Sequence, residues 1–468
     1  MIQVRFKNTL AQEIVYKAVI RSFTRSQVSL TSGSILFSDE LRKEDTQQKV
    51  VVFGKKPDSS FQTLAGIDLD ASPSPRIHFS GHALTQNLHL KERFFERFDF
   101  TNEWNNLGYG RIERDPSHLF GIGENTSSYS GVRDESRQSV LWFNRNVGPV
   151  DGFDWRIAED FISGYRFGEL ECLPVLSEIP EGYQGAVTMR IDCDEDILSG
   201  RPLFELYRKN NFPFSMAIKT DQKIDSETIE FMKEVIENGG AILTHSHTHA
   251  CDWGSSPEKP GPASQGPKWE AETSLGILKT ALPDYPIQYA VSPFHQNPAV
   301  AVQGIQKGGI DAFVGGIIHN DPEYLLARAG EVPFAEGIIS HSQQCMLHGD
   351  CYHNADSSIG QYEQAFQSAL KTETFFGFLD HPFSSYQYGW NTEEERLGVH
   401  QSYLDSIGFS EKLWRASLED ALDFLRDRAL TLIHGRKSKD GNEFILEPPS
   451  TRRSRKNMKV RYGPISPN

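Results

Sequence analysis

The sequence has few cysteines, no long apolar segment and a deficit of positive charge. No apolar run approaches the roughly 18 residues that a bilayer crossing needs. The first residues, MIQVRFKNTLAQEIVYKAVI, lack the continuous apolar core of a secretory signal. The formal net charge is −15, which makes nucleic acid and anionic lipid poor partners. We therefore expect a cytoplasmic protein with no membrane span and no nucleic-acid partner.

The cysteines are odd in number and scattered, which is typical of a reducing compartment rather than a disulfide framework. The five are Cys172, Cys193, Cys251, Cys345 and Cys351. The segment CMLHGDCYH (345–353) also contains two histidines. Because no second Cys/His pair follows at a usual zinc spacing, we interpret it as a polar loop.

The length of 468 residues is too great for one ordinary core. Residues 1–180 mix strand-like runs (KVVVFGK, RIHFSGHAL and SVLWFNRNV) with the helical pattern LAQEIVYKAVIRSF, which predicts an α/β N-terminal domain of unknown role. PVLSEIPEGYQG (174–185) has the composition of a linker. Residues 435–468 are basic and poor in apolar residues, which is typical of a solvated, mobile tail.

Residues 185–434 alternate between short apolar runs and helical patterns. One predicted helix begins with Ser226 as its N-cap and stops at Gly239. Such alternation indicates parallel strands joined by crossover helices, so the predicted fold class is α/β. There is room for about seven units, which favours a distorted (β/α) barrel, preceded by the separate α/β N-terminal domain. The Pro- and Gly-rich stretch 254–267 is predicted to be a rim loop.

The strand-like segment MRIDCDED places three charged side chains at alternate positions. Arg190, Asp192 and Asp194 share one face of an extended strand. Two carboxylates this close repel each other unless a cation lies beside them. Either a guanidinium or a metal ion could serve. Because the acids lie at the carboxyl end of a parallel strand, they are where such folds build their sites.

A second predicted strand leads into the histidines of AILTHSHTHACDW. His245 and His249 are four residues apart and can both bind one divalent metal ion. Together with Asp194 they would supply three ligands and leave a position for water. Such a site lowers the pKa of the water, and Asp192 could accept its proton as a general base. His247 is expected to point away, as a rim residue.

Taken as an ordered set, these motifs resemble those of the polysaccharide deacetylases of the NodB-homology type (carbohydrate esterase family 4). In that family, a strand ending in two aspartates is followed about fifty residues later by a Gly-rich turn and a strand ending in His-Ser/Thr-x-x-His. A third strand ends in Arg-x-Pro, for which YAVSPFHQNPAV (289–300) fits the place. A last strand carries Leu-x-His, matched by FGFLDHP. The resemblance covers roughly residues 185–430.

The resemblance implies a metal-dependent hydrolase that removes N-acetyl groups from an amino sugar or glycan precursor. It makes Asp192 the general base and His381 the general acid. It also implies a divalent metal, usually Zn²⁺, on Asp194, His245 and His249. The oxyanion would be held by the metal and by a backbone N–H near Pro293 or Phe294.

Four aromatic residues lie near predicted strand ends, and aromatic faces stack on sugar rings. They are Trp253, Tyr386, Tyr388 and Trp390, the last being our candidate for a substrate contact. Packing at the rim explains them equally well. The partner expected from these features is an N-acetylated sugar or glycan, with a homo-oligomer as a further possibility.

The chain departs from the family pattern in its third motif. Ser292 stands where the family has the arginine that pairs with the base aspartate. We hypothesise that Arg190 takes that role from the same strand face as Asp192. His295, just after this motif, either replaces an ordinary sugar contact or has no role.

Two other functions remain open from the sequence. One is hydrolysis of a non-sugar amide or imide on the same fold. The other is a non-catalytic carbohydrate-binding protein with a decayed site, which the loss of the third-motif arginine favours and the presence of the other polar residues disfavours.

Overall fold

The computed structural model describes most of the chain from residue 152 onward and parts of the region before it. The described residues are 2–6, 10–26, 34–53, 130–143, 152–250, 253, 266–295, 297, 299–314, 328–332, 335–341, 343–384, 388–438 and 441–464. The predicted strand RIHFSGHAL and most of the predicted rim loop 254–267 lie outside them.

Residues before 144 contribute a five-stranded sheet. Its strands are β1 Ile2–Arg5, β2 Ile35–Ser38, β3 Lys49–Phe53, β4 Ser130–Glu135 and β5 Gln138–Phe143. Their order is β1-β2-β3-β5-β4, parallel except for the β4–β5 hairpin. Helix α1 (Leu10–Phe23) coincides with the predicted helical pattern, and α2 (Gly152–Ser163) follows the sheet. The buried rings of Tyr16 and Phe53 pack around Trp155.

A second sheet of ten strands organises the rest of the chain. Its strands are β7 Gly185–Cys193, β8 Ser215–Ile218, β9 Ala241–Thr244, β10 Tyr289–Val291, β11 Ala312–Val314, β12 Gly330–Glu331, β13 Ile339–His341, β14 Gln343–Met346, β15 Phe376–Asp380 and β16 Leu413–Ala416. The order is β12-β13-β11-β10-β9-β8-β7-β15-β14, with β16 also on β7. Every pair is parallel except β12–β13.

This sheet curls upon itself. Strand β13 pairs with β11 towards one end of the order, β14 pairs with β15 at the other, and one residue separates β13 from β14 in the chain. The two ends therefore approach each other, as closure towards a barrel requires. The result is a mixed α/β fold with a curled parallel sheet. The count of about seven units and the boundaries of the domains stay predictions.

Helices connect these strands. They are α3 Arg201–Lys209, α4 Ser226–Glu237, α5 Pro267–Ala281, α6 Ala299–Lys307, α7 Gly349–Asn354, α8 Gly360–Thr372, α9 Glu393–Ile407 and α10 Leu418–Leu430. Within the described ranges, no helix combines the length and apolar character that a bilayer crossing requires.

Two local predictions need correction at helix starts. The N-cap of α4 is Asp225 rather than Ser226. The Asp225 carboxylate accepts from the Thr228 N–H, and the Thr228 hydroxyl accepts from the Asp225 backbone N–H. Helix α5 begins at Pro267, which we had assigned to the rim loop. Proline is tolerated in the first turn because its missing N–H has no helical partner there.

The segment 345–353 is not a polar loop. Cys345 lies in β14 and is fully buried, and Cys351 lies in α7 and is 4% exposed. The strand continues the parallel sheet beside β15, which places its apolar side chains in the core. The alternation of polar and apolar residues there reflects a strand end followed by a helix rather than a solvated turn.

The prediction of a mobile tail is also wrong for the part of the tail that the structure describes. Short strands β17 (Leu432–Ser438) and β18 (Gly441–Glu447) form a hairpin. Beyond it, β19 (Val460–Arg461) pairs with β6 (Val175–Leu176). Arg461 pairs with the fully buried Glu159, and Lys459 pairs with Glu373, so these charges of the tail attach it to the rest of the chain.

Candidate active site

Strand order brings the predicted metal ligands to one edge of the curled sheet. Asp194 directly follows β7 and His245 directly follows β9, with only β8 between them. Because these strands are parallel, their carboxyl ends meet at the same edge. His249 reaches the same place through a tight turn, in which Ser246 and His249 have positive φ values of 67° and 52°.

Three ligand atoms converge there. Oδ1 of Asp194 lies 3.2 Å from Nε2 of His245 and 3.6 Å from Nε2 of His249. The three residues offer one ligand atom each within 4.8 Å of one another. The Asp194 Oδ1 atom is buried and has no hydrogen-bond partner among the described residues, so the histidine nitrogens approach it without satisfying it. A buried acceptor left in this way fits a cation between the three groups.

The tautomer of His245 suits the same role. Its Nδ1 lies 2.8 Å from the carbonyl oxygen of Val291. A carbonyl can only accept, so Nδ1 carries the proton and Nε2 presents its lone pair towards Asp194. Metal-binding histidines are commonly held in this manner. Two nitrogens and one carboxylate oxygen are also a donor set that suits Zn²⁺.

The candidate metal-ligand loop (residues 245–249) is held in place from helix α5. The buried carboxylate of Glu270 accepts from the backbone N–H groups of His247 and Thr248, at 2.7 and 2.8 Å, and from the Thr248 hydroxyl at 2.6 Å. No motif in the sequence singled out Glu270, which lies just after the predicted rim loop 254–267. His247 itself points elsewhere, with Nδ1 3.0 Å from the Thr220 hydroxyl.

Arg190 and Asp192 form a buried ion pair inside the sheet. The guanidinium donates to both carboxylate oxygens, at 2.7 and 3.1 Å, and both side chains are at most 1% exposed. Burial alone raises the pKa of Asp192, but the Arg190 charge outweighs it and holds that pKa well below its usual range. Asp192 is therefore ionised throughout the physiological range.

The histidines respond differently to the same burial. Burial lowers the pKa of His249 to about 4. Burial also opposes protonation of His245, but the negative charges of Asp192 and Asp194 leave its pKa raised. His249 is consequently a neutral imidazole at pH 7, which is the form that binds metals.

His381 faces Asp194 from the opposite side. It follows β15, and its Nε2 lies 3.4 Å from Oδ2 of Asp194. Its ring stacks on Tyr388, with centroids 3.8 Å apart, and the Tyr388 hydroxyl donates to the same Oδ2 at 3.0 Å. The backbone carbonyl of His381 accepts from the buried Arg396 guanidinium. These contacts fix the imidazole beside the three predicted ligands.

Behind His381 lies a buried polar network that we did not predict. Asp380 accepts from Nε1 of Trp390 at 3.2 Å and lies 3.0 Å from Nε2 of His400, whose Nδ1 lies 2.8 Å from the Tyr207 hydroxyl. Burial raises the pKa of Asp380, but the bond from His400 reverses this and lowers it to about 2. His400 lies on α9, which no motif identified.

The predicted substrate contacts are placed unequally. Phe294 has a positive φ of 53° and its ring lies 4.4 Å from that of His249, so the turn after β10 reaches the site. Pro293 precedes it and is buried. Trp390 is 4% exposed and contacts Asp380, which places it beneath the site. Trp253 is equally buried, whereas Tyr386 and the His295 side chain lie outside the described residues.

A cavity of about 310 Å³ opens beside Asp194. Its lining includes Asp196 and Ser199 from one side and Phe383 and Tyr388 from the other. Its volume is at the lower end of those typical for small-ligand pockets. Acidic and aromatic side chains therefore border the opening next to the candidate metal ligands.

His348 adds two further groups of potential ligands. It lies near Asp350 and Cys351 on one side and near Asp380 and His381 on the other. Burial opposes its protonation, but Asp350 raises the pKa of His348 to about 10, so it is cationic at pH 7. Binding of a metal ion there would require His348 to lose this proton first.

No family model and no curated protein matches the chain. Solved structures that it resembles include a protein provisionally assigned as a polysaccharide deacetylase from Mycobacterium smegmatis, with 11% identity, 53% of this chain and 93% of that chain covered, and a TM-score of 0.40. A family 4 acetyl xylan esterase from Clostridium thermocellum, solved with a cobalt ion, is 13% identical. The match covers 50% of this chain and 89% of that chain, with a TM-score of 0.32. The chitin deacetylase from Colletotrichum lindemuthianum is 12% identical. The match covers 53% of this chain and 89% of that chain, with a TM-score of 0.31. Because these values are low, function is inferred below from the residues of this chain.

Proposed function

We propose that the chain is a metal-dependent deacetylase that removes acetyl groups from an N-acetylated amino sugar or glycan. The observation that carries this proposal is the convergence of Asp194, His245 and His249 around an unsatisfied buried oxygen, next to an ionised aspartate and facing a histidine. The order of these motifs along the chain supports it as well.

Asp194, His245 and His249 would hold the ion, with Zn²⁺ as the expected metal. When bound, such an ion lowers the pKa of a neighbouring water molecule and polarises the acetyl carbonyl. The pairing with Arg190 keeps Asp192 ionised, so its carboxylate can accept a proton from water. Because the Asp192 carboxylate is a weak base, it can accept a proton only from a water molecule that has been made more acidic. A metal ion nearby would have this effect.

His381 is proposed to donate the proton that the leaving amine needs. Stacking on Tyr388 and the bond between its carbonyl and Arg396 restrict its orientation. The backbone N–H of Phe294, in the turn that contacts His249, is the proposed donor to the developing oxyanion. Positioned groups of this kind lower the barrier by removing the need to reorganise during reaction.

The first test is the metal content of purified protein. We expect about one zinc-like ion per chain in the wild type and its loss in His245→Ala. His247→Ala is the matched control, because this neighbouring histidine contacts Thr220 rather than Asp194. Equal loss of metal in both variants, or no uptake of zinc, cobalt or nickel by the wild type, would contradict the proposed site.

The second test is release of acetate by the metal-loaded protein. N-acetylglucosamine oligomers are the expected substrates, and acetylated xylan and small cyclic amides are the comparison substrates. Asp192→Asn should lower the rate by at least about 100-fold while it retains the ion. Preference for acetylated xylan or for cyclic amides would reject the sugar-amide proposal, and sugar binding without any turnover would favour a non-catalytic protein.

A further inference from the structure

A buried lysine contacts a buried cysteine outside the candidate active site. Lys49 is the first residue of β3 and is 0% exposed, whereas Cys172 lies between α2 and β6 and is 6% exposed. Nζ of Lys49 lies 2.9 Å from Sγ of Cys172. The two residues are 123 positions apart in the sequence, so the fold alone creates this contact.

The position of the lysine has a partial structural explanation. Its Nζ also donates to the carbonyl oxygens of Phe161 and Ile162, at 2.8 and 3.4 Å, near the carboxyl end of α2. The last carbonyls of a helix lack helical partners and attract positive charge. This explains two of the three contacts of the amine but not the choice of a cysteine for the third, since sulfur is a weak acceptor.

The fold holds a nucleophile, the Lys49 amine, in contact with an oxidisable atom, the Cys172 sulfur. Burial lowers the pKa of the Lys49 amine, although Cys172 opposes this. The neutral form of the amine is therefore more populated at a given pH than in a solvent-exposed lysine. Cys172 is a free cysteine, and no disulfide competes for its sulfur.

We propose that Lys49 and Cys172 are a modification site at which oxidation by a peroxide forms a covalent sulfur–nitrogen bond. In the first step, hydrogen peroxide oxidises the Cys172 thiol to a sulfenic acid and is reduced to water. In the second, the lone pair of the Lys49 amine attacks this sulfur. The S–N bond forms, the S–O bond breaks, and hydroxide leaves with a proton from nitrogen as a second water. The protein loses two hydrogen atoms overall.

The bond is reversible and links distant parts of the chain. Two equivalents of a thiol reduce it, restoring the Cys172 thiol and the Lys49 amine and forming a disulfide between the reductant molecules. While present, it ties β3 of the first sheet to the segment that enters the second. A crosslink between residues so distant in sequence restricts the unfolded chain and should raise the Tm by about 5 °C.

The test is mass spectrometry of the full-length protein after treatment with a few equivalents of hydrogen peroxide. We expect a mass decrease of about 2 Da, a peptide in which Lys49 is joined to Cys172, and reversal of both by dithiothreitol. The crosslinked peptide should be missing in Cys172→Ser and Lys49→Met. Cys345→Ala, which removes another buried thiol, should leave it unchanged.

Other products would overturn the proposal. Oxygen addition at Cys172 without a linked peptide would show that the amine does not trap the sulfenic acid. A Cys172 that stays a free thiol in excess peroxide would show that burial excludes the oxidant. Because the decisive readout is the linked peptide in the wild type, the proposal stays testable if a variant fails to fold, and it is independent of the proposed deacetylase function.

Discussion

The Arg190–Asp192 pair is the residue-scale feature on which the proposed chemistry most depends. Both side chains are buried, and each is the partner that makes burial of the other tolerable. Removal of the guanidinium would take away the strongest influence that lowers the pKa of Asp192, so that burial, which raises this pKa, would be opposed only by His245 and His381. The side chain of Asp192 would then take up a proton and lose its ability to act as a base.

For Arg190→Met we expect loss of acetate release by about 100-fold or more with metal content unchanged, because methionine fills the space but cannot pair with Asp192. We also expect the free energy of unfolding in urea to fall by about 3 kcal/mol. Arg201→Met is the control, since this arginine is 42% exposed and pairs with Glu234 at the surface. Wild-type activity in Arg190→Met would reject Arg190 as the substitute for the third-motif arginine.

Some residue-level contacts could be predicted and others could not. The two-residue spacing of Arg190 and Asp192 on a strand places them on one face, so their proximity follows from local geometry. The network of Asp380 with His400 depends on how α9 packs beside β15, which no local pattern encodes. Likewise, Trp390 was our candidate for a substrate contact, and no local pattern predicts that its indole N–H donates to the buried Asp380.

At the scale of elements, the candidate metal-ligand loop is held by helix α5 as well as by its own residues, since the His249 N–H donates to the Ser246 hydroxyl at 3.0 Å. Glu270, in the first turn of α5, accepts three hydrogen bonds from His247 and Thr248. The loop contains two residues with positive φ, Ser246 and His249, so its conformation carries a cost that these bonds offset. We therefore expect the orientation of the His249 ring to depend in part on Glu270.

We expect Glu270→Ala to weaken metal binding by about 10-fold or more, because groups that orient ligands typically contribute that much. Glu270→Gln keeps one acceptor oxygen and should fall between the wild type and the alanine variant. Glu272→Ala is the matched control, since this residue of the same helix is half exposed and pairs with Lys268. Competition with a chelator measures the affinities, and equal affinities in all four proteins would show that the loop is held without Glu270.

The sequence located most core elements but placed several boundaries wrongly. Helix α1 and strand β7 follow from apolar periodicity, because their buried faces show in the pattern. In the first turn of α5, Pro267 was assigned to a loop because proline also suits one, and no motif singled out Glu270. Strands β10 and β11 have only three residues each, so their order in the sheet comes from long-range pairing.

For the whole molecule, buried ion pairs connect the three predicted parts of the chain. Arg328, in the predicted barrel, donates to Glu159 of α2 at 2.6 and 2.7 Å, and Glu159 also pairs with Arg461 of β19. Arg328 and Glu159 are at most 3% exposed. One continuous cluster of buried apolar side chains also includes Trp155 and Phe376. Trp155 lies in α2, next to the first sheet, and Phe376 lies in β15 of the second sheet.

The same pattern recurs at Glu331, the last residue of β12. Glu331 is fully buried and pairs with Arg21 and Arg25, at the end of α1. An unpaired buried charge destabilises a protein by about 3–5 kcal/mol, which is comparable with the total stability of many domains. The predicted catalytic unit therefore contains at least two charges, Arg328 and Glu331, whose partners lie in other parts of the chain.

We therefore expect a fragment of residues 185–434 not to fold cooperatively by itself. Deletion removes Glu159, Arg21 and Arg25, which takes these ion-pair partners from the buried Arg328 and Glu331, and it exposes the apolar surface shared with the first sheet. Thermal unfolding followed by circular dichroism, with the full-length chain as control, measures this. A fragment with a cooperative transition within about 5 °C of the full chain would instead establish an independent barrel. The buried ion pairs would then join units that are already stable.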